Sequence, residues 1–196
     1  MAQRRRIKYK EIIETAHKLF WKHGYRRVTV EEICREAETS KMTFYRYFSN
    51  KLDLAKAVFD GVVEKGMHDF KAVLYSDKSP SEKLEGILLL KLEGTNEISN
   101  EFISDFYNNE ELGLKQYIEE KTQIFLKEVI EDIRIAQQRG WLRKDLKPEF
   151  FLFMSQKSID LMNDKYLKSL YNTPQEIIME IVNFYLYGIA PKDKNQ

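Results

Sequence analysis

Cysteine, proline, glycine and long apolar runs are all scarce in this 196-residue chain, and each scarcity excludes something. The one cysteine, Cys34, rules out an internal disulfide framework and a four-thiolate zinc site, and suits a reducing compartment. The longest apolar runs, 87–90 and 150–154, fall far short of the about 20 residues a bilayer crossing needs. The first six residues are basic and lead into Lys8, Lys10 and Glu11 with no apolar segment, so no secretory signal and no membrane partner are expected, and a cytoplasmic location is. Histidine is rare too. His17 and His23 are six apart on different faces of one helix and His68 stands alone, which makes no metal pair. A glycine-rich phosphate loop, a nucleophile elbow and a Cys/His pairing are also missing. The expectation is a protein without enzymatic activity, cofactor or metal. Cys34, on an apolar stripe, is read as a small core hydrophobe.

Charge of one sign is lacking overall, since the formal net charge is only +1. That balance hides a division. Residues 1–60 hold 14 Lys+Arg against 8 Asp+Glu, a balance of +6, and the remainder carries −5. Asymmetry of this kind points to one part of a chain meeting a polyanion.

With 4 Pro and 8 Gly, apolar residues recur at helical spacing almost throughout, so the expected class is all-α, with about nine helices. Helix 1 carries Ile12, Ala16, Leu19 and Phe20 on one face and stops at Gly24, a residue suited to a left-handed C-cap. Thr29 and Glu32 form an N-terminal capping pair for helix 2, whose stripe is Val30, Ile33, Cys34 and Ala37. Ser40 caps a third helix holding Phe44 and Phe48, and Asn50 with Asp53 opens a fourth. Further starts are read at Ser79-Pro80, Pro148 and Thr173-Pro174, and a long helix from about Glu111 to Arg139 stops at Gly140.

Two short helices joined by a tight turn describe a helix-turn-helix, whose second helix enters the DNA major groove. With Phe44 and Phe48 directed inward, the other face of helix 3 presents Lys41, Met42, Thr43, Tyr45, Arg46 and Tyr47. Cations, hydroxyls and phenols suit phosphate oxygens and base edges. Lys51 and the first amides of helix 4 offer a further anion site, and Arg4, Arg5 and Arg6 read as a flexible basic arm.

Residues 8–60 resemble the DNA-binding domain of the TetR family of transcriptional regulators. The resemblance rests on Ala16, Leu19-Phe20, Gly24-Tyr25, Val28-Thr29-Val30, Ile33, Ala37, Ser40-Lys41, Thr43-Phe44-Tyr45, Tyr47-Phe48, Lys51 and Leu54. It implies Thr29, Tyr45 and Lys51 on phosphates, Lys41, Met42 and Thr43 near bases, and Tyr47 on the DNA backbone. Three positions depart from the family pattern. Glu38 stands where glycine is common and would cost on the order of 1 kcal/mol in a left-handed conformation. Thr39 replaces an apolar turn residue, and Met42 a small one.

The expected organisation is a helix-turn-helix domain over 1–50 and a helical effector-binding and dimerisation domain over 51–196. A helix-turn-helix protein needs two half-sites, so a homodimer on a palindromic double-stranded operator is expected. The resemblance assigns dimerisation to the last two helices, where Phe151, Met154, Ile159, Met162, Tyr166, Ile178, Ile181 and Tyr185 are the candidate interface residues. Aromatic density at Phe102, Phe106, Tyr107, Tyr117, Phe125 and Trp141 suggests a pocket for an apolar or aromatic small-molecule effector, although aromatics at helical spacing are more often plain core. The functional expectation is a repressor released from its operator by an effector. The alternative is an all-α small-molecule-binding or protein-interaction module that has lost DNA binding.

Overall fold

The computed structural model describes residues 2–108 and 113–190, with the side chains of 2–5, 108, 126, 155, 156, 158, 159 and 163 left out. Among the described residues every regular element is helical: α1 (Ala2–His23), α2 (Val30–Glu36), α3 (Lys41–Tyr45), α4 (Lys51–Leu74), α5 (Pro80–Gly94), α6 (Asn100–Ile103) continued by a π-helical turn (Ser104–Asn108), α7 (Leu114–Gln138), α8 (Pro148–Asn163), α9 (Lys165–Leu170) and α10 (Pro174–Ile189). The all-α class is as expected, with two refinements. The short helix around Phe102 finishes as a π turn, and the helix opened by Pro148 breaks at Asp164. Asp164 has an extended ψ of 127°, and its carboxylate accepts from the Leu167 amide at 2.9 Å, so it ends α8 and caps α9.

The residues form two compact units, Met1–Glu64 with Glu97–Glu119 and Lys65–Asn96 with Glu120–Gln196. In the first, Ile12, Ala16, Phe20, Val28, Ile33, Phe44 and Leu54 are fully buried. α6 and the π turn extend this core: Phe102 sits 4.4 Å from Trp21 and 4.3 Å from Phe106, ring centre to ring centre, and Phe106 lies against Phe20 and Tyr25. Ser99 donates from both its amide and its hydroxyl to the Trp21 carbonyl, at 3.0 and 2.8 Å, which fixes the start of α6 on α1.

In the second unit, Leu74, Ile133, Ala136, Leu142, Leu146, Leu186 and Ile189 make the core. Lys83 is buried within it. Its ammonium donates to the carbonyls of Leu74 and Ser76 at 2.8 and 2.5 Å and lies 3.8 Å from the Trp141 ring centre. A buried cation needs such partners, and here it closes the exposed carbonyl end of α4. The Ser79 box that opens α5 is complete: Glu82 N–H donates to Ser79 Oγ at 3.3 Å, and Ser79 N–H donates to the Glu82 carboxylate at 2.8 Å.

Candidate nucleic-acid interface

The interface is assembled by caps. Thr29 Oγ1 accepts from the Glu32 amide at 3.1 Å and starts α2, while Ser40 Oγ accepts from the Thr43 amide at 3.1 Å and starts α3. Between them the Thr39 amide reaches back to the Cys34 carbonyl at 2.8 Å, and Glu38 takes φ +46°. The left-handed residue expected in this turn is therefore present, on a glutamate. Cys34 is buried, and burial pushes its thiol up from the ordinary value, which keeps it protonated and unreactive. Among the described residues no three His, Cys, Asp or Glu side chains are placed to hold a metal ion.

Phe44 and Phe48 point inward, although α3 ends at Tyr45 and Phe48, expected within the helix, follows it. Tyr9 stacks on Phe48 at 5.3 Å, which ties the early turns of α1 to the segment after α3. The opposite face of α3 is outward. Met42 is 75% exposed and Tyr45 55% exposed, with Lys41 and Arg46 exposed beside them and Thr43 half-buried. Tyr47 is half-buried, edge-on to Tyr9 at 5.8 Å. Lys41, Met42, Thr43, Tyr45 and Arg46 thus share a surface, and Thr29 lies exposed at the start of α2.

Four other expected contact residues lie outside this surface. The Lys51 ammonium donates to the carbonyls of Tyr25 and Val28, both at 2.8 Å, and lies 4.2 Å from the Tyr25 ring centre. Burial lowers its affinity for a proton, with Asp105 opposing that effect. Its visible task is to pin the turn between α1 and α2 to α4. The backbone of Arg4 and Arg5 belongs to α1, so the stretch is helical where a flexible arm was expected; their side chains lie outside the described residues. Arg6 is exposed.

The turn between α1 and α2 has a second anchor that the sequence reading missed. Asp105, buried on the π turn, accepts from the Arg26 amide at 2.8 Å, with the Arg26 guanidinium Nε 3.7 Å away. Gly24 has φ +76°, and a Cβ there would stand 2.8 Å from both the Asp105 carboxylate and Glu101 Cβ. Glycine is required twice over, for conformation and for space. A lone aspartate 79 residues from its partner gives no local pattern to read.

Residues 12–58 match the family of bacterial regulatory proteins described as the tetR family. The matched stretch runs from α1 through the helix-turn-helix into the start of α4, about a quarter of the chain. The chain is 43% identical over 58 residues to YuxN, an uncharacterized HTH-type transcriptional regulator of Bacillus subtilis strain 168; the match covers 30% of this chain and 20% of YuxN. Matches of this kind span only a fifth to two fifths of the first curated TetR relatives. Two solved structures share the fold over nearly the whole chain. The fatty acid degradation regulator FadR from Bacillus halodurans has a TM-score of 0.67 at 18% identity, covering 94% of this chain and 97% of its own. FadR from Bacillus subtilis, in complex with stearoyl-CoA, has a TM-score of 0.65 at 19% identity, covering 92% and 99%. At those identities the likeness is one of fold. The relatives are transcriptional regulators, not enzymes.

The expected pocket and interface residues divide between the two units. Phe102 and Phe106 are core of the first unit, Tyr107 is half-buried on the π turn, and Tyr117 donates its hydroxyl to Asp60 at 2.6 Å. In the second, Phe125 is half-buried, and Trp141 packs against Tyr75 and Lys83. Of the interface candidates, Phe151 meets Tyr185 edge-on at 5.8 Å and the Tyr185 hydroxyl donates to the Met154 carbonyl at 2.7 Å, so these three serve the seam between α8 and α10. Met162, Ile178 and Ile181 are half-buried, Tyr166 is exposed, and the Ile159 side chain lies outside the described residues. The exposed apolar face belongs to neighbouring positions: Phe150, Phe153 and Leu161 on α8, with Phe184 (76% exposed) and Tyr187 (74%) on α10. Both faces of these helices are apolar, so composition alone does not say which one turns outward.

Proposed function

We propose that this chain is a TetR-type regulator, a homodimeric, cytoplasmic repressor that reads a palindromic operator with α3 and leaves it when a small molecule binds. The observation that carries the reading is the outward surface of α3. Lys41, Met42, Thr43 and Tyr45 project from a short helix held by its cap and by buried Phe44, with Arg46 at its end and buried Phe48 just beyond. Helix-turn-helix docking places such a face against base edges, and the resemblance to the TetR DNA-binding domain puts Thr29 and Tyr45 on flanking phosphates. The division of labour is residues 1–50 for DNA and 51–196 for effector and partner. The exposed aromatics of α8 and α10 form the contact between protomers, because so large an apolar surface on a water-soluble chain calls for a cover.

For the effector, the aromatic content of the chain favours an apolar or aromatic molecule, and stearoyl-CoA, the compound bound to the Bacillus subtilis FadR, is the first probe. Differential affinity for the DNA-free arrangement would shift the population off the operator. Selection from a randomised duplex library tests the reading. It should enrich a two-fold-symmetric site with half-sites about one helical turn apart, or a multiple of that; recovery of no common sequence contradicts it. Stearoyl-CoA or an aromatic ligand that releases the enriched duplex supports effector control, and indifference to a panel of both kinds counts against it.

A further inference from the structure

The helix-turn-helix is not basic. Residues 28–50 contain Arg35, Lys41 and Arg46 against Glu31, Glu32, Glu36 and Glu38, an excess of one negative charge on the element meant to enter the groove of a polyanion. Two of those three cations are already engaged by carboxylates. Arg35 bonds Glu36 at 3.0 Å, and the Lys41 ammonium forms an ion pair with Glu31 across the two helices. The pairing has a local cause. Glu31 lies in the first turn of α2, where the helix dipole favours a carboxylate, and Lys41 opens α3, where the same dipole disfavours a cation. Lys41 therefore has reason to seek an anion, and Glu31 supplies it. The hydrogen bond from Lys41, together with its charge, holds the Glu31 carboxyl below its ordinary range.

We propose that Glu31 is a specificity-determining residue, which occupies Lys41 until a correctly placed base acceptor displaces it. The inference rests on the DNA-reading function argued above. On a random duplex, a phosphate must take Lys41 from Glu31 while Glu31 itself repels the phosphate, so Lys41 adds little. On the operator, an acceptor such as guanine O6 and N7 lies where α3 enters the groove and offers Lys41 a directed partner. An exposed pair is weak enough to exchange. Glu31 thus subtracts from non-operator binding more than from operator binding.

The experiment compares the duplex enriched by the wild-type protein with a scrambled duplex of equal composition. The variants are Glu31→Gln, Lys41→Ala, the double variant, and Glu32→Gln as a control for loss of one charge in the same turn. Glu31→Gln should tighten binding to the scrambled duplex by roughly three- to fivefold, the scale of one exposed pair, with a smaller gain on the enriched duplex. The log–log salt slope on the scrambled duplex should steepen by about 0.9 as Lys41 becomes a phosphate contact. Both effects should vanish in the Lys41→Ala background. Equal gains on both duplexes from Glu31→Gln and Glu32→Gln would overturn the inference, as would a gain that survives Lys41→Ala. A wild-type protein that binds neither duplex would instead overturn the DNA-reading function on which it rests.

Discussion

Single residues of the reading head carry structural obligations that can be separated from DNA contact. Glu38 is held at φ +46°, a conformation that costs an L-residue other than glycine on the order of 1 kcal/mol. Glu38→Gly should therefore raise the free energy of unfolding by up to about 1 kcal/mol, offset in part by the freer unfolded chain; the urea midpoint should rise with an unchanged slope. Lys51 is the opposite case. The sequence places a lysine beside a helix N-terminus, which reads as a phosphate ligand, but the ammonium is spent on the Tyr25 and Val28 carbonyls. Lys51→Ala should destabilise the folded state by about 1–3 kcal/mol, because two acceptors lose their donor. If stability is unchanged while DNA affinity falls, Lys51 is a phosphate contact after all. The difference between Lys51 and Tyr45 could not be read from sequence: both are polar positions, and only the path of the chain brings carbonyls within reach of one of them.

At the scale of elements, what was legible in the sequence is what is local. Thr29, Ser40, Ser79 and Thr173 each accept from an amide three residues on, so the starts of α2, α3, α5 and α10 could be named from their caps. The stop at Gly24 was equally plain. What escaped depends on partners distant in the chain. The turn ahead of α2 is fixed by Asp105, 79 residues from Arg26, and α8 and α10 have two apolar faces whose roles only packing distinguishes. α3 is the element most exposed to the loss of one cap, since it has only five residues. Ser40→Ala should cost about 1 kcal/mol in stability. The effect on operator affinity should be larger than that of an equally destabilising change in the second unit, such as Ser79→Ala at the start of α5. Equal effects of the two substitutions on affinity would mean that α3 does not need its cap to read DNA.

For the whole molecule, the net charge of +1 is a cancellation. The first 60 residues carry +6, yet within them the helix-turn-helix proper is slightly acidic, so the surplus lies in α1 and the turn that follows it, at Arg26 and Arg27. In the proposed function, affinity and selectivity are thereby supplied by different parts of the head. On the same proposal two heads act together on an operator, and the exposed face of α8 and α10 is the proposed contact between them. Phe184→Glu, at a position 76% exposed, should leave helix content unchanged and convert a dimer into a monomer in sedimentation equilibrium. A variant that remains dimeric would place the contact elsewhere.

The central claim is that this head binds DNA through phosphate and base contacts on α3. It is tested most directly by the affinity of the dimer for its enriched duplex as a function of salt, for the wild type and for Tyr45→Phe. The account predicts a linear fall of log K with log salt, with a slope of about −0.9 for each phosphate neutralised, and weaker binding by the variant at every salt concentration. Failure to bind at low salt, or a flat salt dependence with Tyr45→Phe indistinguishable from wild type, would contradict it.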